Sequence, residues 1–86
     1  MEGLITMQSK IRLPKLAETT DVVVIEDWLV KVGDAVSVGQ GLVALETDKA
    51  VVELPSPMAG TIVELLVPKD EEATTGDYLC VIEADR

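Results

Sequence analysis

The sequence predicts an all-β domain folded as a sandwich or a flattened barrel. Aliphatic runs rich in β-preferring residues recur along the 86-residue chain, at 22–30, 42–47, 61–67 and 79–83. Turn-forming pairs separate these runs: Gly33-Asp34, Ser56-Pro57 and Gly76-Asp77. No apolar pattern keeps the 3.6-residue period of a helix for long. Short strands at this spacing are therefore expected to pack around a single core.

The predicted strands follow the order of the apolar runs. The run 22–30 opens the first half with consecutive aliphatic residues, and 42–47 follows after glycine-containing turns. The run 51–54 comes directly after a short polar interruption, which indicates a hairpin. The runs 61–67 and 79–83 build the second half in the same way. Proline has no amide N–H to donate, so three prolines are expected at strand ends or sheet edges: Pro14, Pro55 and Pro68.

An internal repeat divides the chain into two similar halves. A shift of 37 positions superimposes residues 23–49 on residues 60–86 without a gap. Seven positions are identical: Ile25/Ile62, Leu29/Leu66, Val30/Val67, Gly39/Gly76, Leu42/Leu79, Glu46/Glu83 and Asp48/Asp85. Neither half can bury its apolar face alone, so the halves are expected to pack together with quasi-two-fold symmetry. The same symmetry exchanges Lys49 with Arg86, which predicts that the lysine lies at the end of the domain opposite the carboxyl terminus.

Composition excludes several classes of function. The chain has no histidine and a single cysteine, Cys80. It therefore lacks the usual general base, the histidine-dependent nucleophile pairs and the ligand set of a zinc or iron–sulfur site. Cys80 is interpreted as a small apolar strand residue. The acids near residues 70–77 do not have the alternating spacing of a calcium loop and are interpreted as a solvated loop. We expect no catalytic residue and no metal site.

The charge and length of the chain bound its partners and location. A formal net charge of −9 argues against nucleic acid and anionic membranes, and it favours docking onto basic protein surfaces. No apolar run approaches the roughly 20 residues of a membrane helix, and the first residues lack the positive region of a secretory signal. We expect one domain, monomeric and cytoplasmic, or located in the mitochondrial matrix if the chain is a trimmed eukaryotic fragment.

The stretch Glu46-Thr47-Asp48-Lys49-Ala50 is the strongest candidate for a site. It lies between the runs 42–45 and 51–54, so a hairpin would place Lys49 at an exposed tip. A lysine held there offers its amine to a modifying enzyme. The local sequence alone favours the simpler interpretation, an ordinary solvated turn.

The whole pattern resembles the lipoyl domains of the acyltransferase (E2) components of 2-oxo acid dehydrogenase complexes. The resemblance covers roughly residues 10–84, and four segments carry it: 13–18, 28–34, 46–53 and 55–60. It implies a flattened barrel of two four-stranded antiparallel sheets, with lipoic acid in amide linkage to Lys49. Residues 1–9 precede it and are interpreted as a flexible leader, which leaves 10–86 as the lipoyl domain.

The resemblance also implies a function and a set of partners. The domain would not be an enzyme by itself, although in a longer chain it would be part of a dihydrolipoamide acyltransferase. A lipoate ligase or a lipoyl or octanoyl transferase would modify Lys49. The arm would then carry acyl groups and electrons between the thiamine-dependent decarboxylase (E1), the acyltransferase core and the flavoprotein (E3). Biotinyl carriers of carboxylases share the fold, but usually have methionine on both sides of the lysine. An unmodified β-sandwich interaction module is the third alternative.

The residues around Lys49 are expected to govern recognition. Asp48 and Ala50 flank it with one acidic and one small side chain, and Glu46 and Thr47 are expected to shape the hairpin. In relatives, the loop after the first strand helps the decarboxylase to recognise its carrier. Here this loop lacks the usual glycines, and its candidate recognition residues are Glu18, Thr19, Thr20 and Asp21. The second half has Asp70-Glu71 in place of the Gly33-Asp34 turn, so a differently shaped loop is expected there.

Overall fold

In a computed structural model, residues 7–16 and 21–84 are described, and their regular secondary structure is entirely β. The strands in chain order are β1 (Gln8–Arg12), β2 (Val22–Trp28), β3 (Ala35–Val36), β4 (Gly41–Glu46), β5 (Val51–Pro55), β6 (Gly60–Leu65), β7 (Glu72–Thr74) and β8 (Tyr78–Ala84). They form two four-stranded antiparallel sheets. We call the sheet ordered β5-β4-β2-β7 the hairpin sheet, and the sheet ordered β1-β8-β6-β3 the terminal sheet. The all-β prediction is confirmed, as an open sandwich and not a closed barrel.

The core between the sheets is aliphatic. Six of its side chains are completely inaccessible to solvent: Ile25, Leu42, Val43, Leu45, Leu79 and Ile82. Trp28 packs at the rim, where its indole N–H donates to the carbonyl of Val67 at 2.8 Å. Cys80 is a free thiol buried among the aliphatic residues, and this burial raises its pKa to about 11.

The quasi-two-fold symmetry extends to irregularities of the backbone. The β2–β4 register shifts between Ile25 and Asp27, and the β6–β8 register shifts between Ile62 and Glu64, the equivalent positions. A second pair of shifts leaves Leu42 of β4 and Leu79 of β8 without a paired residue. Both leucines are fully buried and identical in the repeat. β-bulges of this kind bend a strand and redirect its side chains. Both halves of the repeat therefore use the same bulge to direct a leucine into the core.

The symmetry also corrects one expectation from the sequence. The loop containing Asp70-Glu71 has the same shape as the Gly33-Asp34 turn, so the prediction of a different shape was wrong. Gly33 has φ +98° and Asp70 has φ +73°. Gly33 N–H donates to the carbonyl of Ile62, and Asp70 N–H donates to that of Ile25, both at 2.8 Å. Aspartate tolerates the left-handed region better than most residues, which allows it to replace glycine here.

Strand boundaries differ modestly from the predicted runs. β2 ends at Trp28 and β6 at Leu65, each before the end of its aliphatic run. β1 begins at Gln8, before the predicted start of the domain at residue 10, because residues 8 and 9 pair with β8. Pro55 ends the edge strand β5, as predicted, and Pro14 and Pro68 lie outside the strands. Within the described ranges, no helix is long and apolar enough to cross a membrane.

Candidate functional site

The predicted hairpin is present, and Lys49 lies at its tip. β4 and β5 pair along their length, and Glu46 opposite Val51 is the final pair before the turn. The connecting residues Thr47 to Ala50 form a bend in which Lys49 is exposed. A tight connection between two paired strands fixes the position of its central residues, because both ends are anchored in the sheet. The side chain of Lys49 therefore projects from the end of the β4–β5 hairpin, at a position that the paired strands fix.

The hydroxyl of Thr47 joins the two sides of the turn. Its Oγ1 donates to the carbonyl of Ala50 at 2.7 Å, and accepts from the N–H groups of Ala50 at 3.1 Å and Lys49 at 3.3 Å. The backbone N–H of Thr47 also donates to the Ala50 carbonyl, at 2.9 Å. A serine or threonine hydroxyl that bonds nearby backbone groups stabilises a turn in this manner. The backbone of Lys49 is thus held from within the turn, while its side chain points to solvent.

The other predicted recognition residues divide into two groups. Asp48 and Ala50 are exposed beside Lys49, and Glu46 is exposed on the adjoining strand. Asp21 is also exposed, and its carboxylate pairs with the amine of Lys15 at 2.6 Å. The remaining candidates lie outside the described residues: Glu18, Thr19 and Thr20.

The opposite end of the sandwich contains a counterpart of the hairpin tip without a lysine. There the N–H of Ala84 donates to the carbonyl of Met7 at 2.8 Å, which reproduces the bond from Thr47 to Ala50. Ala84 corresponds to Thr47 in the repeat. The backbone pairing therefore needs no hydroxyl at this position, and the threonine is a feature of the lysine end alone. The end of β8 and the start of β1 thus occupy the place in one half that the lysine tip occupies in the other.

The chemistry available at the tip is that of an accessible primary amine. No histidine exists in the chain, and the described residues contain no cluster of three or more metal-binding side chains. In its neutral form the Lys49 amine is a nucleophile toward an activated carboxyl group. The small side chain of Ala50 leaves the approach from one side open. The described part of the chain thus presents an accessible amine, and any acylation of it would need an enzyme to supply the remaining groups.

The structure brings together one cluster that the sequence alone does not predict. On the terminal sheet, the Lys10 amine and the Arg12 guanidinium lie 5.2 and 5.3 Å from the ring centroid of Tyr78. Arg12 also donates to the Tyr78 hydroxyl at 3.3 Å. An adjacent groove of about 380 Å³ between β1 and β5 is lined by Leu54, Pro55 and other residues. Only the alternation of Lys10 and Arg12 along a strand signals this cluster, since Tyr78 is distant in sequence.

A family model covers nearly the whole chain. The Biotin_lipoyl model, described as "Biotin-requiring enzyme", matches residues 9–85. The match includes both halves of the repeat and the Lys49 hairpin.

Curated relatives are similar over most of this chain. A dihydrolipoyllysine-residue succinyltransferase component of the 2-oxoglutarate dehydrogenase complex, from Bartonella vinsonii subsp. berkhoffii, is 37% identical over 78 residues. That match covers 91% of this chain and 19% of the relative. A dihydrolipoyllysine-residue acetyltransferase component of the pyruvate dehydrogenase complex, from Corynebacterium glutamicum, is 42% identical over 72 residues, or 84% of this chain and 11% of the relative. The chain thus spans at most about a fifth of the length of these relatives.

A solved structure shares the fold. It is described as a single-chain, multi-domain long-chain acyl-CoA carboxylase, and it aligns with a TM-score of 0.71 and 27% sequence identity. The alignment covers 100% of this chain and 8% of the carboxylase chain. Similar domains therefore occur within larger proteins of two different kinds.

Proposed function

This chain belongs to the Biotin_lipoyl family, and we propose that within it the chain is a lipoyl carrier domain with lipoic acid in amide linkage to Lys49. The observation that carries the proposal is the exposed lysine at the tip of a hairpin held by Thr47. The relatives named as dihydrolipoyllysine-residue transferases support lipoate as the cofactor.

The residues at the tip fit an amide-linked arm. In the modification step, the neutral Lys49 amine attacks the carbonyl carbon of an activated lipoyl or octanoyl group. A C–N bond forms, the bond to the leaving group breaks, and the nitrogen releases one proton to solvent. The activating enzyme is a lipoate ligase or a lipoyl or octanoyl transferase. Because Lys49 is exposed and lies beyond the last strand pair, that enzyme can surround the amine without unfolding the sheet.

The modified domain would act as a mobile carrier between enzymes. When bound, the lipoyl group supplies a dithiolane that accepts an acyl group with two electrons and is later reoxidised. Thr47 fixes the base of the arm, and the exposed position of Lys49 leaves the rest free to move. The proposed partners are a thiamine-dependent E1 decarboxylase, an E2 acyltransferase core and an E3 flavoprotein. Tethering raises the local concentration of the arm to about millimolar, so weak docking suffices. In a longer chain, this domain would be the carrier part of an acyltransferase.

A biotinyl carrier is the second candidate, because a likeness to an acyl-CoA carboxylase supports it. The neighbours of Lys49 distinguish the two cofactors. Biotin carriers usually have methionine on both sides of the lysine, whereas Asp48 and Ala50 stand there in this chain. The charge of Asp48 and the small volume of Ala50 therefore favour lipoate over biotin.

The test is the intact mass after incubation with purified modifying enzymes. We expect lipoate–protein ligase with lipoate and ATP to add one lipoyl group to the wild-type domain, and biotin–protein ligase with biotin and ATP to add nothing. Lys49→Arg should abolish the gain in mass, and Lys31→Arg should preserve it. Lys31 is a matched control because it is also exposed and lies in a turn between strands. Gain of biotin instead of lipoate would establish the second candidate, and lipoylation of Lys49→Arg would refute the site.

A further inference from the structure

The two-fold symmetry gives each outer position of one sheet a structural counterpart on the other sheet. The repeat relates β2 to β6, β3 to β7 and β4 to β8. The matching register shifts relate β5 to β1, with Leu54 equivalent to Ile11. Because both halves build the same backbone, a difference between exposed counterparts is not required by the fold. Such differences therefore indicate a face whose exposed residues serve a function that the other face does not have.

The outer face of the hairpin sheet is acidic. Four exposed carboxylates occupy paired outward positions: Asp27, Glu46, Glu53 and Glu72. A fifth, Glu26, is exposed at the register shift in β2. Among the described strand residues that point outward from this sheet, none is lysine or arginine. Two valines at the lysine end are also exposed, with Val22 49% and Val51 55% accessible. Val51 pairs with Glu46 directly beside the turn that carries Lys49.

The equivalent face of the terminal sheet is electrically balanced. Two of the acids are retained there, as Glu64 and Glu83. The counterpart of Glu53 is Lys10, and Arg12 follows on the same outward side of β1. Other outward counterparts also differ. They include Val22 and Ala59, Val51 and Gln8, Glu72 and Ala35, and Pro55 and Arg12, in each case with the hairpin-sheet residue first. Two acids and two cations thus occupy one face, and four acids with exposed valines occupy the face beside Lys49.

We propose that the outer face of the hairpin sheet is the docking surface for the enzyme that acylates the arm on Lys49. The inference rests on the proposed function of the lysine. Its complement is a surface with cationic side chains, and with apolar side chains at the end nearest the arm. The cations would face the four carboxylates, and the apolar side chains would cover Val22 and Val51. Charge complementarity of this kind speeds encounter and orients it, and desolvated apolar contacts slow dissociation. A partner on this face would meet the arm at once, because Glu46 and Val51 adjoin the tip.

The test compares matched variants of the two faces in the lipoylated domain. The hairpin-face variant is Glu46→Gln with Glu53→Gln, and the terminal-face variant is Glu64→Gln with Glu83→Gln. Each removes two negative charges, so the net charge changes equally. The readout is kcat/KM for reductive acylation by the decarboxylase of either the pyruvate or the 2-oxoglutarate complex, whichever acylates the wild type. We expect a loss of about tenfold for the hairpin face and less than about twofold for the terminal face at low ionic strength.

Two further measurements test the same surface and do not depend on the folding of the charge variants. The wild-type kcat/KM should fall as the salt concentration rises, because salt screens the attraction. Val51→Thr should lower kcat/KM at all salt concentrations, and Val38→Thr should not, since Val38 is exposed in a turn away from this face. Equal losses from both charge variants would overturn the docking surface and leave the carrier function intact. A wild-type domain that gains no lipoyl group, or gains one that neither decarboxylase acylates, would overturn the proposed function and the docking surface together.

Discussion

Replacement of Thr47 by valine tests whether one hydroxyl holds the lysine tip. The variant keeps the β-branched shape and removes the atom that donates to the Ala50 carbonyl and accepts from two N–H groups. A hydrogen bond contributes about 0.5–1.5 kcal/mol net to stability, and water can satisfy groups at an exposed turn. We therefore expect the free energy of unfolding to fall by about 1 kcal/mol, and not by the summed contributions of three hydrogen bonds. In a domain of this size, that loss lowers Tm by about 4–8 °C.

Amide hydrogen exchange followed by NMR measures the effect at the tip itself. A local loss of about 1 kcal/mol speeds exchange of the Lys49 and Ala50 N–H groups about fivefold, while the core strands change only with global stability. Thr47→Ser should restore protection, because serine retains the hydroxyl. Thr61→Val is the matched control. Thr61 is also half-buried, it lies in the terminal sheet, and its hydroxyl makes no hydrogen bond within the described residues. Unchanged exchange at the tip in Thr47→Val would refute the assignment.

Three other perturbations follow from the fold. The left-handed φ of Asp70, +73°, suits glycine and disfavours a β-branched residue. Asp70→Gly should therefore raise Tm slightly, and Asp70→Val should lower the free energy of unfolding in urea by about 1–2 kcal/mol. Equal stabilities of the two variants would contradict this reasoning. Gly60→Ala should lower the free energy of unfolding in urea by more than about 2 kcal/mol, because its methyl group would meet the backbone carbonyl of Glu83. A urea midpoint equal to that of the wild type would refute this close approach. Burial raises the pKa of Cys80 to about 11, so the neutral thiol is favoured in the folded state, and the stability it contributes should be lost as pH rises from about 9 through 11. Alkylation of Cys80 at pH 8 should accordingly require unfolding; rapid labelling of the native domain would contradict its burial.

The sequence carries enough information to predict the β class, the repeat and the lysine hairpin. Apolar runs, turn residues and a polar break are local signals, and each of them lies within a few residues. β3 and β7 are too short to produce such a signal, with two and three residues. The bulges at Leu42 and Leu79 depend on strand register, which is fixed by partners far away in the chain. Repeat identity at these leucines shows only that both positions matter.

The contacts around the site divide in the same way. Thr47 acts on residues next to it, so its role in the turn follows from the local sequence. The stacking of Lys10 on Tyr78 joins opposite ends of the chain and becomes visible only when β1 lies beside β8. The conformation of Asp70 was mispredicted because composition alone suggests that a turn without glycine changes shape. Its hydrogen bond to the Ile25 carbonyl of β2, which is the neighbour of β7 in the hairpin sheet, sets the backbone instead.

The bond from Ala84 to Met7 makes the domain a natural subject for circular permutation. These residues are joined across the strand ends as Thr47 and Ala50 are joined across the lysine turn. A two-residue bridge from Ala84 to Met7 would close β8 and β1 into a second hairpin, and new termini could then open in a surface loop. With lysine at its tip, that bridge would give a single small domain two exposed lysine hairpins facing in opposite directions.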